Sequence, residues 1–186
     1  MGRGAVRDAI LRLEAEGLLE QRQKSGVSVP GIAPAEIADV FRLRSVVEPL
    51  FAERAAIQRD ARQAATLESL CDAMDAEQPL VFRDGVLDKP SWRRAVHLDM
   101  EFHAAVIAAA GRWLLSRFYH HEHVLALHGA WYVQHEPPAF DHHEAVNHLH
   151  HEIAEAIRRQ DPAAAAEATR RHNEFWMHLV LGRVAQ

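Results

Sequence analysis

The sequence of 186 residues contains one cysteine, Cys71, and no CxxC pair. A single thiol cannot form an intrachain disulfide, and without a CxxC pair there is neither a zinc site of that type nor a thiol-exchange centre, so a reducing compartment is expected. No apolar run reaches the length of a membrane span, and residues 1–20 alternate charge with leucine instead of forming a signal peptide. We therefore expect a cytoplasmic protein without a membrane segment.

The motifs of several enzyme classes are also absent. The sequence has no Walker A loop, no GxGxxG after a strand and no GxSxG nucleophile elbow. The segment HEAVN at 143–147 falls short of HExxH because it lacks the second histidine, and no ExxH pair exists for a di-iron carboxylate site. No catalytic residue is assigned, and any enzymatic hypothesis must rest on a metal site.

The distribution of charge divides the chain into two modules. The net charge of -5 gives no general attraction to polyanions, but residues 1–30 concentrate basic side chains, and no further Lys or Arg follows until Arg42. Spacing in residues 3–17 predicts an amphipathic helix, and LLEQRQKSGVSVP predicts two short strands around a polar turn. We predict an N-terminal module at 1–30 and a helical domain at 31–186.

The pattern after residue 30 contains no run typical of a strand, and from Pro34 onward it is helical throughout. Pro34 suits a first helical turn, and the apolar stripe that follows predicts a helix to about residue 59. Short connections favour an antiparallel bundle of six helices. The further helices are predicted at about 61–77, 91–110, 112–134, 140–160 and 162–183.

Histidine is the unusual residue, with 14 copies, most of them inside predicted helices. Asp99 and His103 are four residues apart and interrupt an apolar stripe, so their side chains point the same way. His150 and His172 each lie on an apolar face of the last two helices. The turn between these helices is eleven residues from each of the two, which places both rings level, roughly 16 Å from the turn. His151 falls on the opposite side of its helix, so His150 is preferred.

Asp99, His103, His150 and His172 are therefore candidate metal ligands. Three neutral imidazoles and one carboxylate suit a divalent transition metal, with positions left open for water or an anion. Zinc is favoured, and nickel and manganese remain open. The alternative is a buried Asp–His ion pair beside hydrogen-bonded core histidines. Other histidines belong to a solvated cluster, although the side chain of His120 or His123 could line the same cavity.

Arg44 interrupts the apolar stripe of the first bundle helix. A planar guanidinium that faces the bundle interior could bind a small carboxylate through two hydrogen bonds. Glu48 lies one turn further on, so an intrahelical Arg44–Glu48 pair is the equally weighted alternative.

Four segments together resemble one known arrangement. DMEFHAAVIAAAG is similar to a D-x-x-FH motif, and HHEIAEAIRRQDPAAAAEATRRH to a closing H-x-x-I-x-x-AI…D…A…H pattern. FRLRSVVEPLFAERAA resembles the first helix of the same sensing domain, and RGAVRDAILRLEAEGLLEQRQKSGVSV resembles the recognition helix and wing of a winged helix-turn-helix. The chain thus resembles a GntR-family transcriptional regulator of the FadR subfamily, whose sensing domain is called FCD.

This resemblance implies a homodimeric regulator whose occupancy of operator DNA depends on a metabolite. It implies that the four candidate ligands bind the metal and that a small organic acid coordinates it with Arg44 nearby. In that picture Arg3 and Arg7 contact DNA, and Arg22 and Lys24 reach phosphates or the minor groove. The alternative for these four basic residues is an ordinary solvated surface.

Two departures from the family pattern qualify these expectations. The chain starts at the recognition helix, which suggests a start codon assigned too late, a trimmed chain, or a sensor that has lost DNA binding. Arg112 replaces the asparagine usual after the glycine, and the loop at 79–90 looks like an insertion. A metal-dependent helical hydrolase or lyase is the remaining alternative, because the same ligands could activate water.

Overall fold

The computed structural model describes residues 2–15, 17–22, 26–31, 33–84, 86–111 and 143–184. These residues form six helices and two small antiparallel hairpins, so the predicted fold class is confirmed: mainly α, with one helix and a β-hairpin before a helical bundle. The helices are α1 (Arg3–Ala15), α2 (Pro34–Gln58), α3 (Ala61–Val81), α4 (Lys89–Ala109), α5 (His143–Arg158) and α6 (Pro162–Val184). The strands are β1 (Glu20–Arg22), β2 (Gly26–Ser28), β3 (Phe82–Arg83) and β4 (Val86–Leu87). The helix predicted at 112–134 lies outside the described residues.

The N-terminal module consists of α1 and the β1–β2 hairpin. The hairpin is antiparallel and pairs Glu20 with Ser28. No residue of α1 is buried, and Val6 and Leu13 of its apolar side are 45% and 36% exposed. One helix and two short strands contain too little apolar surface to form a core.

Among the described helices, none combines the length and the apolar composition of a membrane span.

Three helices of the bundle begin with an aspartate that caps their free N–H groups. Asp60 accepts a hydrogen bond from the Gln63 amide at 2.7 Å, and the Gln63 side chain accepts one from the Asp60 amide at 2.9 Å. Asp88 caps α4 and Asp161 caps α6 in the same manner, with distances of 3.0 Å each. Because N-terminal N–H groups have no partner within their helix, these caps define where α3, α4 and α6 start.

The turn between α5 and α6 is short and tightly bonded. Gln160 adopts a left-handed conformation with φ of 56°, and the Asp161 amide donates to the Ala156 carbonyl at 3.0 Å. This is the bonding expected where a helix ends in a left-handed residue. The turn reverses the chain, so α5 and α6 pack along each other.

Two apolar clusters form the core, and a layer of buried polar side chains lies beside them. The first cluster includes Phe51, Phe102 and Ala168, and the second includes Phe41, Val96 and Trp176. The polar side chains of this layer come from α2, α4 and α6. These are Arg44, Glu48, His103, His172 and Asn173.

The expectation of no strand after residue 30 is wrong, because residues 82–87 form the β3–β4 hairpin. Each strand has only two residues, which is too short for an alternating pattern. Helix α3 also extends four residues beyond its predicted end at 77 and passes through Pro79. A proline this close to the end of a helix removes one N–H donor without interrupting a long run of hydrogen bonds.

Candidate metal centre

The structure brings Asp99, His103, His150 and His172 together inside the bundle. Asp99 and His103 come from α4, His150 from α5 and His172 from α6. One possible ligand atom from each residue lies within 4.8 Å of those from the others. The three histidines are buried and the aspartate is half-buried. The equal spacing of His150 and His172 from the turn is what places them at the same level.

The three imidazole rings are packed against one another. Ring centroids are 4.4 Å apart for His150 and His172, 4.8 Å for His103 and His172, and 5.5 Å for His103 and His150. Phe102 covers one side, with its ring centroid 4.8 Å from that of His150. Phe102 belongs to the first apolar cluster, so its ring limits the access of water to the histidines from that side.

Several ring nitrogens in this cluster have no hydrogen-bond partner among the described residues. They are Nε2 of His103, Nε2 of His172 and both nitrogens of His150. The Asp99 Oδ1 atom lies 3.2 Å from His150 Nε2 and 3.8 Å from His103 Nε2. A buried polar atom without a partner costs free energy, and a bound cation would satisfy several at once. Three imidazoles and one carboxylate are a donor set that fits zinc and related metals.

Burial keeps two of the imidazoles neutral, which is the form that binds a metal. Burial, assisted by the nearby Arg44 guanidinium, lowers the pKa of His103 to about 4, against the opposing effect of Glu48 and Asp99. Burial, together with His150 and His103, also holds the pKa of His172 well below its usual range. Both rings are therefore uncharged at pH 7 with their lone pairs available.

The Arg44–Glu48 pair, one of the two alternatives for Arg44, is present in the structure. Arg44 Nε donates to Glu48 Oε1 at 2.8 Å, and both side chains are buried. The guanidinium also lies over the ring of Phe41, 5.3 Å from its centroid. A buried charge needs such a partner. The pair therefore places two ionised groups, whose opposite charges balance, beside the histidines.

Glu48 contacts the histidine cluster through its second carboxylate oxygen. Oε2 accepts a hydrogen bond from Asn173 Nδ2 at 3.1 Å and lies 3.5 Å from His103 Nδ1. Burial by itself would raise the pKa of Glu48, but the charge of Arg44 and the hydrogen bonds from Arg44 and Asn173 oppose it, so the pKa is lowered and the carboxylate is ionised. The sequence indicated Glu48 only as a partner of Arg44, and it gave no reason to select Asn173. Their roles depend on how α2 packs against α4 and α6.

His151, the neighbour of His150, has a different environment. Its Nε2 atom lies 2.8 Å from Asp75 Oδ2, and its side chain is 43% exposed. Asn147 donates to the other oxygen of Asp75 at 3.1 Å. These contacts connect α5 to α3 at the surface. His151 therefore lies outside the cluster that contains its neighbour His150.

The basic residues of the N-terminal module are at the surface. Arg3 and Arg7 are exposed on α1, and Arg22 on β1 is exposed and donates to Glu20 Oε1 at 2.7 Å. Lys24 lies outside the described residues, as do Arg112, His120 and His123.

Comparison with known proteins identifies the family. The FCD domain family matches residues 39–175, which is the greater part of the chain and includes all four cluster residues. The chain belongs to the FCD domain family. The FCD domain inferred from the sequence is therefore confirmed.

The FCD chain is similar to one curated protein and to several solved structures. It is 29% identical over 112 residues to an uncharacterised HTH-type transcriptional regulator in the TAR-I ttuE-ttuC' intergenic region of Agrobacterium vitis, an alignment that covers 60% of this chain and 62% of that protein. The E. coli McbR/YncC structure superposes with a TM-score of 0.80 at 14% identity, covering 99% of this chain and 82% of the other. Streptococcus agalactiae GntR gives a TM-score of 0.59 at 22% identity, covering 96% and 82%. These two structures support the fold.

Replacing Arg44 by methionine should destabilise the protein by about 3 kcal/mol or more, because it leaves the ionised Glu48 buried without its cation. The free energy of unfolding in urea measures this. Arg42→Met is the matched control on the same helix, since Arg42 pairs with Asp39 in an exposed salt bridge and should show little change. Equal effects of the two substitutions would contradict the importance of the buried pair.

The metal-free protein should lose stability as the pH falls from about 6.5 towards about 4. In the unfolded chain a histidine binds a proton below about 6.5, whereas buried His103 stays neutral down to about 4. Protons then bind preferentially to the unfolded state, and each such histidine contributes a slope of up to about 1.4 kcal/mol per pH unit.

Urea unfolding at pH 7 and pH 5 checks this expectation, and His103→Gln should flatten the pH dependence. Thr169→Val is the control, because it removes a buried hydroxyl that bonds to the Ala165 carbonyl but no titratable group. It should lower the stability equally at both pH values. A parent protein equally stable at pH 7 and pH 5 contradicts the prediction.

Proposed function

We propose that this FCD protein is a transcriptional regulator that senses a small carboxylate through a metal bound in its helical domain. The observation that carries the proposal is the buried group formed by Asp99, His103, His150 and His172 in a chain of this family. The proposed division of labour assigns DNA contact to residues 1–30 and sensing to residues 31–186.

Metal binding is supported by the chemistry of the donor set. Buried imidazoles that are neutral at pH 7 need no deprotonation before they bind a cation. Nitrogen-rich coordination favours zinc, with nickel and manganese as further candidates. A metal bound by these residues would link α4, α5 and α6 and would have coordination positions open to a ligand.

The preference for an anionic effector follows from the charge of the site. A divalent cation bound to neutral histidines and one aspartate retains one net positive charge, while Arg44 and Glu48 neutralise each other. Inside a bundle, such a charge favours a ligand of opposite sign. A small organic acid could place its carboxylate on the metal with the Arg44 guanidinium nearby.

The regulatory output is proposed to be operator binding by a homodimer. Two copies of α1 would enter successive major grooves, with Arg3 and Arg7 directed at DNA and with Arg22 and Lys24 at phosphates or the minor groove. The relative in Agrobacterium vitis is described as an HTH-type transcriptional regulator, which supports this assignment. Effector binding would act by changing the spacing or orientation of the two recognition helices.

The metal site is tested by metal analysis of untagged protein purified without added metal. The parent should contain about one equivalent of a transition metal, preferably zinc, and His172→Ala should contain little, since it loses one of four ligands.

Adjacent histidines provide a matched control for the metal analysis. His150→Ala should lose the metal, whereas His151→Ala should retain it, because His151 contacts Asp75 at the surface. A parent that contains no metal and fails to take up zinc, nickel or manganese would overturn the sensor site.

The regulatory role is tested in the native host with a tag fused to the C terminus of the chromosomal gene. Crosslinking followed by sequencing of the bound DNA should give a small number of specific sites, and occupancy should change when small carboxylic acids are supplied. Substituting Arg3 and Arg7 by alanine should remove the enrichment, as expected for DNA contacts. Absence of enriched sites in the parent strain contradicts DNA binding.

A further inference from the structure

The Nδ1 atoms of two cluster histidines contact polar groups of the hydrogen-bonded network formed by Arg44, Glu48 and Asn173. His172 Nδ1 lies 3.3 Å from Asn173 Oδ1, and His103 Nδ1 lies 3.5 Å from Glu48 Oε2. In both rings the other nitrogen, Nε2, is buried and has no hydrogen-bond partner in the described part of the chain. Two rings from different helices therefore offer the same nitrogen to the cluster.

The ionised carboxylate of Glu48 determines which group donates and which accepts in each hydrogen bond of this network. An ionised carboxylate only accepts, and Glu48 receives Arg44 Nε on one oxygen and Asn173 Nδ2 on the other. The amide group of Asn173 must then face Glu48 with its NH2, which leaves its carbonyl oxygen facing His172. Because a carbonyl oxygen also only accepts, His172 Nδ1 must carry the hydrogen of the neutral ring.

Glu48 has the same effect on His103, which it contacts directly and not through Asn173. Its Nδ1 atom faces the Glu48 carboxylate, which favours the tautomer with hydrogen on Nδ1. His150 is the contrasting member of the cluster, since neither of its ring nitrogens has a hydrogen-bond partner among the described residues. The network thus contacts two of the three histidines.

We infer that Glu48 and Asn173 are positioning residues that hold hydrogen on Nδ1 of His103 and His172 and so keep Nε2 of both rings available to a metal before any metal binds. The inference rests on the metal site proposed above. A ligand histidine whose other N–H donates to a carboxylate or carbonyl is fixed in orientation and is a stronger base towards the metal. Asn173 extends this effect of one buried carboxylate to a second histidine on another helix.

The tautomers can be measured directly in the metal-free protein. Two-bond correlations between ring nitrogens and ring hydrogens in ¹⁵N-histidine-labelled protein at pH 7 distinguish hydrogen on Nδ1 from hydrogen on Nε2. His103 and His172 of the parent should both carry it on Nδ1. A parent His172 with hydrogen on Nε2 overturns the inference without the need for any variant.

Substitutions then test the route from Glu48 to His172. Asn173→Leu should release His172 into a mixture of tautomers and leave His103 unchanged. Glu48→Gln should disturb both, because the glutamine amide can donate as well as accept and so no longer determines the orientation of Asn173. Glu48→Gln should add nothing at His172 in the Asn173→Leu background, since the connection is already broken.

Zinc affinity gives a second measure of the same network. Asn173→Leu should bind zinc about 10- to 100-fold more weakly than the parent, the range found when the outer partner of a metal ligand is removed. Thr169→Val, also buried on α6 but bonded only to the Ala165 carbonyl, should bind zinc as the parent does. Where leucine disturbs packing, as judged by circular dichroism, Asn173→Ala replaces it.

The outcomes separate this inference from the proposed metal site. A parent that takes up no zinc contradicts the metal site, whereas the tautomers of the metal-free protein still test the network. A parent that binds zinc, with an Asn173→Leu variant that binds it equally tightly and keeps the His172 tautomer, overturns the positioning role alone.

Discussion

The buried ion pair between Arg44 and Glu48 is the interaction on which the polar interior of this protein depends. Without Arg44, an ionised carboxylate would be buried without its cation, at a cost of several kcal/mol. With Arg44 in place, Glu48 stays ionised and can orient Asn173 and face His103. The pair therefore makes it possible for a bundle core to contain a layer of polar side chains.

That layer connects the helices that contribute the candidate metal ligands. Arg44 and Glu48 belong to α2, His103 to α4, and His172 and Asn173 to α6, while His150 enters from α5. Burial of these side chains excludes water, which strengthens the electrostatic interactions among them. Because α2 is also the first helix after the N-terminal hairpin, the helix that carries Arg44 and Glu48 follows the proposed DNA-binding module directly along the chain.

A metal ion fits this arrangement because several buried nitrogens have no hydrogen-bond partner within the described part of the chain. The FCD family and the fold account for the scaffold, and the chemistry of a site depends on its side chains. Here the chemistry lies in neutral imidazoles with unoccupied lone pairs beside a half-buried aspartate. A sensor of this kind would combine metal binding with a positive charge that selects an anionic ligand.

Sequence patterns were enough to predict the helical bundle, the N-terminal helix and hairpin, and the helix faces on which Asp99, His103, His150 and His172 lie. Helical spacing and the equal distances of two histidines from one turn were sufficient, because these are properties of single helices and of one short connection. Tertiary packing is what brings the second carboxylate oxygen of Glu48 within hydrogen-bond distance of Asn173. A carboxylate four residues after an arginine is usually an exposed helical pair, and only the packing of α2 against α4 and α6 buries it.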